Sequence, residues 1–482
     1  MKYTSPSRMR SVVEFRERLL AVDPELGCDD EILGAGGALG QALEVDGRTL
    51  ANRFAIHPME GWDGTPEGLP SADTLRRWRH FGASGAKLIW GGEAFAVQED
   101  GRANPRQLYL NPRADVAGGL AALRAELRGA HRDSGEEPDS LYLGLQLTHS
   151  GRFSRPTEAG PAPRIAYHHP VLDPRFGVEA GVEPLTDGEL EAIGENYVRA
   201  ARLAREAGFH FVDLKCCHGY LMHELLGARA RPGPYGGSFE NRVRLFRRIL
   251  GAVRAECPSL GIAVRVSIAD VFPHSRDPDT GVGAARGWEE YAPLRHGFGV
   301  DADDPRRFDL EEPLRFLALL QDLGVRLVNL TLGSPYYCPH LQRPAAYPPS
   351  DGYAPPEDPL ASVARHLRVV RRCKRAFPEL VLVGTGYSYL QEYLPHVAQH
   401  EVRAGHVDLV GLGRMVLSYP ELPRDVLRHR RLDRRRLCRT FSDCTTAPRN
   451  GLPSGCYPLD AHYRERPEAD RLKQLKRAAR AQ

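Results

Sequence analysis

Short apolar runs alternate with helical segments along most of the chain. Eight such runs lie at residues 54–56, 86–90, 141–147, 211–214, 262–268, 327–332, 380–383 and 407–412. Between most of them, apolar residues recur at three- and four-residue spacing, as at residues 190–207 and 314–323, which is typical of amphipathic helices. Strands that alternate with helices form parallel βαβ units, and eight such units predict an α/β protein with a closed (β/α)8 TIM barrel. A doubly wound open sheet is the alternative, but no GxGxxG motif follows the first strand.

Signals at the helix boundaries agree with this alternation. A glycine, which closes a helix at little cost in the left-handed conformation, stands just before four of the strands, at Gly85, Gly208, Gly324 and Gly405. Two pairs, Thr186 with Glu189 and Ser388 with Gln391, have capping-box spacing and predict helix starts.

The pattern divides the chain into three segments. We expect residues 39–430 to form the barrel, with an N-terminal extension at residues 1–38 and a C-terminal extension at residues 431–482. The first extension has helical spacing at residues 12–22 and is expected to act as a structural strap. The second begins with a basic tail rich in arginine, which is typical of a solvated helix face; no aromatic residues are interleaved to suggest a nucleic-acid patch.

Three long connections follow the third, fifth and sixth strands. They span residues 149–184, 269–309 and 333–359 and are rich in proline, glycine and aromatic residues. In a barrel they would lie on the C-terminal face, over the active site, although surface decoration accounts equally well for about half of their sequence.

Composition narrows the class of protein. The net charge is +3, from 65 basic and 62 acidic residues, whereas a nucleic-acid-binding protein usually has a larger excess of basic residues. No apolar run is long enough to span a membrane, and the first twenty residues lack the apolar core of a signal peptide. Nine cysteines without a dense spacing pattern fit reduced thiols. We therefore expect a cytoplasmic protein that acts on a small molecule and binds neither nucleic acid nor membranes.

Reactive side chains follow directly after the fourth apolar run. Lys215, His218 and Tyr220 stand at its end, as expected for the catalytic end of a barrel strand. A glycine turn, YGGS at residues 235–238, and a helix that begins with ENR at residues 240–242 come next. Together with HGYL at residues 218–221, these motifs resemble the Old Yellow Enzyme family of FMN-dependent oxidoreductases, of which the chain would be a divergent member.

Glycine pairs end the last two predicted strands and point to a phosphate site. Gly384 and Gly386 follow strand seven, and Gly413 and Arg414 follow strand eight. Glycine lets backbone amides approach a phosphate and arginine neutralises its charge, and barrel phosphate sites lie after these two strands. The resemblance implies that the same residues hold the phosphate of FMN.

The resemblance also implies contacts with the isoalloxazine ring. Gln146 would hydrogen-bond the flavin pyrimidine, and Arg265 would lie near flavin N1 and stabilise the reduced anion. Ala94, Pro58 and Met59 match the family's backbone contacts to the ring.

The substrate-facing residues depart from the family pattern at one position. A histidine pair normally holds the substrate carbonyl oxygen and a tyrosine two residues on protonates the α-carbon, but here Lys215 replaces the first histidine before His218 and Tyr220. An ammonium can bind a carbonyl oxygen or select a carboxylate-bearing substrate. The alternative for Lys215 is a structural ion pair with an acid from a loop.

Glu60 is a second departure, because it stands where family members place threonine or cysteine beside flavin C4=O. An ionised carboxylate there would oppose flavin reduction, whereas one protonated through burial could donate to O4. We hypothesise that Glu60 sets a low flavin potential.

Cys438, Cys444 and Cys456 partly match an iron–sulfur motif of two branches of the family. That motif is C-x2-C-x3-C-x11-C, and only the last spacing is kept. Four thiolates normally hold a [4Fe–4S] cluster, so we expect ordinary cysteines rather than a cluster or zinc.

The resemblance implies an NAD(P)H-dependent ene-reductase that reduces the activated C=C bond of an enone or enoyl acid. A redox-neutral isomerase, an oxidative dehydrogenase or demethylase, and a non-enzymatic flavin-binding barrel are the alternatives. Family members often pair, so a homodimer stays open. Aromatic residues expected in the pocket or the core are Trp62, Trp90, Tyr336, Tyr337 and Tyr387.

Overall fold

Eight parallel strands close into a barrel in the computed structural model, which describes residues 3–481. In chain order they are β1 (Phe54–Ile56), β2 (Leu88–Ile89, continued as Ala94–Ala96), β3 (Tyr142–Thr148), β4 (Phe211–Leu214), β5 (Gly261–Ala269), β6 (Leu327–Leu332), β7 (Val381–Gly384) and β8 (Leu409–Leu412). The last strand pairs in parallel with the first, Val410 opposite Phe54 and Leu412 opposite Ile56. Because the sheet closes on itself, the (β/α)8 prediction is confirmed and the open sheet is excluded.

A helix follows each strand on the outside of the barrel. The eight helices are α1 (Ala72–Gly82), α2 (Val116–Asp133), α3 (Asp187–Glu206), α4 (Arg244–Glu256), α5 (Glu311–Asp322), α6 (Pro359–Ala376), α7 (Leu394–Arg403) and α8 (Leu422–Leu427). Thr186 and Glu189 form the expected capping box at the start of α3. The capping box expected at Ser388 is wrong: a 3-10 helix, Tyr387–Tyr393, occupies this stretch, and Gln391 has a φ of 55°. Tertiary contacts explain the difference, because the Gln391 amide donates to Ser5 Oγ and accepts from Arg439.

The barrel interior is filled from its N-terminal end. Inward-pointing apolar side chains of the strands form one buried cluster there, and a hairpin of two short strands, Leu43–Val45 and Arg48–Leu50, closes that end. Trp90 is the largest of these side chains and packs edge-on against Phe211, with ring centroids 5.4 Å apart. The filled interior leaves only the C-terminal end of the strands free for a site.

The N-terminal segment lies across α7 and the residues before it. Its helix, Val12–Val22, places Phe15 in a stack on Tyr393, with centroids 4.2 Å apart. Tyr393 Oη donates to Met9 O at 3.0 Å, and Arg403 pairs with Asp29 at 2.7 Å.

The C-terminal segment packs against α1. Its helices are Asp443–Arg449, Ala461–Arg464 and Pro467–Ala481. Arg76 of α1 forms a bidentate pair with Asp460 at 2.8 and 2.9 Å. Arginines of the basic tail pair with carboxylates of the barrel, Arg434 and Arg439 with Glu392.

The connections on the C-terminal face contain short helices and strands. They are the helices Leu172–Arg175, Leu221–Leu226, Phe239–Arg242, Pro339–Gln342 and Met415–Ser418 and the paired strands Ser275–Arg276 and Gly283–Ala284. Among residues 3–481, no helix combines the length and apolar character needed to cross a membrane.

Candidate active site

A cavity of about 780 Å³ lies at the C-terminal end of the strands. Eleven of the residues predicted from the sequence line it: Pro58, Met59, Glu60, Gln146, Lys215, His218, Tyr220, Arg265, Gly386, Gly413 and Arg414. Of the aromatic candidates, Trp62 and Tyr336 also line it. One cavity thus brings together residues that lie on or after seven of the eight strands.

Two predicted cofactor residues do not reach the cavity wall. Ala94 is buried in β2, and its carbonyl oxygen already accepts a hydrogen bond from Gln107 Nε2 at 2.7 Å. Gly384 ends β7 and packs against the ring of Tyr387. Gly386 does line the cavity, with a φ of 101° that favours glycine, at the start of the 3-10 helix.

Asp213 fixes the two residues predicted to contact the flavin ring. It is fully buried on β4 and accepts hydrogen bonds from Gln146 Nε2 and Trp90 Nε1, both at 2.6 Å, and from the backbone N–H of Arg265 at 2.7 Å. Burial raises the pKa of the Asp213 carboxyl despite these donors. Because the amide nitrogen of Gln146 already donates to Asp213, the amide oxygen of Gln146 is the group that is free to contact a ligand in the cavity.

Arg265 is a buried guanidinium with donors to spare. Its side chain projects from β5, and Nη1 lies 3.4 Å from the carbonyl oxygen of Pro58, while Nε has no partner. Burial lowers the pKa of Arg265. A buried cation with an unused donor is costly unless an anion or an acceptor fills the adjacent space, so this residue fits the ring of a reduced flavin.

Glu60 links the substrate-facing residues into one network. Tyr220 Oη donates to Glu60 Oε2 at 2.5 Å and lies 2.8 Å from Tyr336 Oη. Lys215 Nζ lies 3.8 Å from Glu60 Oε2 and 3.7 Å from the centre of the Tyr220 ring. The ion pair considered as the alternative for Lys215 is therefore present, with Glu60 as its partner.

Burial and these neighbours shift the proton affinities within the network. The pKa of Tyr220 is raised well above its ordinary value, first by burial and then by the carboxylate of Glu60 and the hydroxyl of Tyr336. Burial lowers the pKa of Lys215, and Glu60 opposes that effect. The network therefore holds a neutral phenol next to the side chains of Glu60 and Lys215.

His218 has a left-handed backbone, with φ of 68°, that its neighbours hold in place. Its N–H donates to Ser267 Oγ at 2.9 Å, and its carbonyl oxygen accepts from Ser334 Oγ at 2.7 Å. Burial and the charge of Arg265 keep its pKa well below the ordinary value, so the imidazole is neutral near pH 7. Strain of this kind is typical of functional sites, and here it directs a neutral hydrogen-bonding ring into the cavity.

A buried ion network behind the cavity positions the loop that carries Glu60. Arg77 of α1 lies between Asp63 and Glu93, and its Nη2 is 2.8 Å from a carboxylate oxygen of each. It also donates to Met59 O at 3.3 Å, while Glu93 Oε1 accepts from the N–H of Gly61 at 2.9 Å. The network thus holds the backbone on both sides of Glu60.

Three arginines gather where the phosphate site was predicted. Arg414 Nη2 donates to Pro344 O at 2.8 Å, and its Nη1 has no partner. Arg343 donates to Thr445 Oγ1, and its Nε and Nη2 have none. Burial, followed by the charges of Arg449 and Arg414, lowers the pKa of Arg343 to about 9. Arg449 pairs with Asp351 at 2.8 Å, whereas the unused donors of Arg343 and Arg414 indicate a site that is built for an anion.

The three cysteines of the partial iron–sulfur motif lie close to one another. Cys444 lines the cavity, and the nearness of Cys438 and Cys444, after burial, raises the pKa of Cys456. No group of three His, Cys, Asp or Glu side chains within the described residues is arranged to hold a metal ion.

Comparison with known proteins gives the family. The sequence model described as the NADH:flavin oxidoreductase / NADH oxidase family matches residues 39–286, more than half of the chain. The chain belongs to this family of oxidoreductases. The resemblance found in the sequence motifs is thereby confirmed.

Relatives of the same family have the corresponding names. An NADH:flavin oxidoreductase of Gibberella zeae is 27% identical over 352 residues, which cover 69% of this chain and 71% of that protein. An NADPH dehydrogenase of a Geobacillus species is 30% identical over 48% of this chain, and one of Listeria welshimeri is 32% identical over 46%. The matches span 63% and 61% of those two dehydrogenases.

Solved structures share the fold. A 2-naphthoyl-CoA reductase complex superposes with a TM-score of 0.64 over 90% of this chain and 58% of that one, at 17% identity. An Old Yellow Enzyme homologue from Zymomonas mobilis superposes with a TM-score of 0.53 over 82% of this chain and 94% of that one, at 19% identity.

Several residues of the site were not found by reasoning from the sequence. Asp213 carries a signal in retrospect, since an acid within a buried strand requires donors nearby. Arg343 lies in the connection after β6 and Arg449 in the C-terminal segment, so no spacing relates them to Arg414. Arg77 does not line the cavity, and only the folded structure shows that it supports the flavin oxidoreductase site.

Proposed function

We propose that the protein binds FMN across the mouth of its barrel and uses NAD(P)H to reduce the activated C=C bond of an enone or enoyl acid. One observation carries the proposal. The buried Arg265 guanidinium and the free amide oxygen of Gln146 share a cavity with Lys215, His218 and Tyr220. The planar flavin ring needs one contact that stabilises its anion and one contact with an amide, so it fits the side of the cavity with Arg265 and Gln146. A carbonyl compound fits the other side.

The phosphate of FMN fits the part of the cavity that the ends of β7 and β8 form. Gly386 and Gly413 expose backbone at the ends of β7 and β8, and Arg414 and Arg343 offer N–H groups without partners. A dianionic phosphate would relieve the repulsion among the three arginines. When bound, FMN accepts a hydride from the nicotinamide and passes it to the substrate.

Lys215 and His218 would hold the substrate carbonyl oxygen. A neutral imidazole donates one hydrogen bond without attracting an anion, whereas the ammonium of Lys215 adds a full charge where enolate-like charge develops. Lys215 is held against Glu60 and the Tyr220 ring, so little reorganisation is needed when substrate binds.

Tyr220 would supply the proton to the α-carbon, and Glu60 would control it. Burial and the neighbouring Glu60 raise the pKa of Tyr220, so Tyr220 is a poor acid while Glu60 accepts its hydrogen bond at 2.5 Å. A proton on Glu60, or one passed from Tyr336, removes that obstacle. Proton delivery therefore runs through the chain Tyr336–Tyr220–Glu60, whose members lie 2.8 and 2.5 Å apart.

Aromatic side chains would exclude water from this side of the cavity. Phe153 stacks on Tyr336 with centroids 4.0 Å apart and interplanar angle 6°, and Phe176 packs edge-on against Phe153 at 5.0 Å. A dry wall next to Tyr220 strengthens each polar contact with the substrate.

The contact between Tyr220 and Glu60 also favours a second function. A carboxylate that takes the phenol proton is arranged to draw a proton out of the substrate, as an oxidative dehydrogenase or demethylase, or a redox-neutral isomerase, requires. The direction of electron flow separates these reactions from ene reduction.

Two measurements on the purified protein test the proposal. The visible spectrum should show oxidised flavin, and heating should release FMN rather than FAD. Anaerobic mixing with NADH or NADPH should then bleach the flavin, and an enone such as 2-cyclohexenone should restore its colour. Release of another cofactor would contradict the FMN assignment, and a flavin that neither nicotinamide reduces would favour the isomerase or dehydrogenase.

A further inference from the structure

The wall of the cavity carries a large excess of positive charge. Nine basic side chains line it against two acidic ones, although the whole chain has a net charge of only +3. The acidic residues are Glu60 and Asp351, and the basic ones are Arg152, Arg155, Arg175, Lys215, Arg265, Arg276, Arg343, Arg414 and Arg449. FMN alone does not balance this charge, since its phosphate and reduced ring add about three negative charges.

Arg152 pairs with the carboxylates of Asp173 and Glu224 behind the wall, and Arg449 pairs with Asp351. Three other arginines have neither an ion-pair partner within residues 3–481 nor a role in the proposed flavin site. Arg155 follows β3, Arg175 ends the helix Leu172–Arg175, and Arg276 lies on the short strand Ser275–Arg276 after β5. We call Arg155, Arg175 and Arg276 the cationic rim. Among the described residues, no carboxylate pairs with the rim; the acid next to Arg276, Asp277, lies 3.6 Å from Arg286 instead.

One arginine of the cationic rim, Arg175, adjoins the reacting residues. Arg175 donates to the carbonyl oxygen of His274, and its Nη2 lies 3.4 Å from that of Tyr336. Tyr336 in turn contacts the hydroxyl of Tyr220 at 2.8 Å. Arg155 has a buried Nε without a partner. Arg175 is therefore held in place by backbone carbonyl oxygens, and Arg155 has an N–H group that is free to bind an anion.

We propose that the cationic rim binds a carboxylate or phosphate group of the molecule that reacts beside Lys215 and Tyr220. The inference rests on the proposed function and deepens it, because it gives the substrate an anionic group remote from its double bond. Guanidinium groups recognise carboxylates and phosphates through paired N–H donors, and a cavity with excess positive charge attracts such ligands. The nicotinamide dinucleotide has the same chemistry in its pyrophosphate, so the experiment must separate the two sources.

Binding of inorganic pyrophosphate to the flavin-loaded protein tests the rim without turnover. Isothermal titration of the double variant Arg155→Gln, Arg276→Gln should give a dissociation constant at least tenfold above that of the unmodified protein. Arg295→Gln is the matched control, because Arg295 is an exposed arginine of the same long connection that does not line the cavity. Equal affinity in the double variant and in the control would overturn the inference.

Matched substrates identify the source of the anion. The enone 4-(3-oxobut-1-enyl)benzoate and its methyl ester differ in one negative charge and one methyl group. The unmodified protein should prefer the acid by about tenfold in kcat/KM, through KM, and the double variant should lose that preference. If instead the double variant weakens NADH or NADPH binding and the acid-to-ester ratio is near one in both proteins, the anion is the nucleotide pyrophosphate and the substrate assignment is wrong.

The two proposals fail in different ways. Pyrophosphate binding that depends on the rim, with no turnover of either enone, would leave the rim in place and contradict ene reduction. Turnover of both enones at equal kcat/KM, with pyrophosphate affinity unchanged in the double variant, would contradict the rim alone.

Discussion

Replacing Arg77 with methionine would test how the barrel holds the loop that carries Glu60. Arg77 makes hydrogen bonds to both carboxylates of the buried network, to Gly92 O at 2.9 Å and to Met59 O at 3.3 Å. The side chain of Arg77 is 4% exposed and those of its two acidic partners are 0% exposed, so solvent cannot replace it.

The expected loss follows from the two charges that are left behind. Removing one partner from a buried ion pair typically costs about 3–5 kcal/mol, and here Asp63 and Glu93 would face each other without a cation. Burial already raises the pKa of Glu93, and losing Arg77 would raise it further. A carboxyl whose pKa is higher in the folded than in the unfolded protein destabilises the fold as pH rises through that range. The loss should therefore be largest near pH 8 and smaller near pH 5, where Glu93 takes up a proton.

Urea unfolding followed by circular dichroism, with FMN in excess, measures the effect at both pH values. The control is Arg79→Met on the same helix, whose exposed pair with Glu126 at 2.9 Å should be worth no more than about 1 kcal/mol. A loss below about 1 kcal/mol for Arg77→Met, or one that does not shrink towards pH 5, would refute the reasoning.

Two further substitutions test the site, and a third concerns Asp270, a buried acid directly after β5 that accepts a hydrogen bond from Tyr337 Oη at 2.6 Å. Tyr220→Phe should leave reduction of the flavin by NAD(P)H intact and slow its reoxidation by an enone by about 10²- to 10⁴-fold, and an unchanged reoxidation rate would remove Tyr220 from proton delivery. Glu60→Thr should raise the flavin midpoint potential measured by dye equilibration, because a negative charge near the reduced ring is removed; an unchanged potential would end that hypothesis. Burial raises the pKa of Asp270 to about 6, so between about pH 4 and 6 the folded protein binds a proton that the unfolded chain has released. The unmodified protein should then lose about 3 kcal/mol of stability relative to Asp270→Asn as pH rises through that window in urea titrations, and a constant difference would contradict the assignment.

The strands and the order of the site residues could be predicted because both depend on local sequence. An apolar run as short as Phe211–Leu214 identifies a buried strand, and the polar residues that follow it must then lie at the barrel mouth. Contacts between distant segments have no such local signal. The helix start expected at Ser388 failed because tertiary hydrogen bonds to Gln391 decide the backbone there.

The contact between the two departures from the family pattern also could not be predicted from the sequence. In the sequence, Lys215 and Glu60 are two separate departures from the family pattern, about 150 residues apart by their numbering. In the folded chain the ammonium and the carboxylate lie 3.8 Å apart and share contacts with Tyr220. The two departures therefore compensate each other, since either charge alone would be buried without a counterion.

The C-terminal segment contributes Cys444, Thr445 and Arg449 to the cavity wall, whereas residues 57–60, directly after β1, supply another part of it. Ribosomes add roughly 5–20 residues each second, so roughly 20–80 seconds separate synthesis of these two parts of the wall. The cavity is therefore complete only after the C-terminal segment has been synthesised and has packed against the barrel.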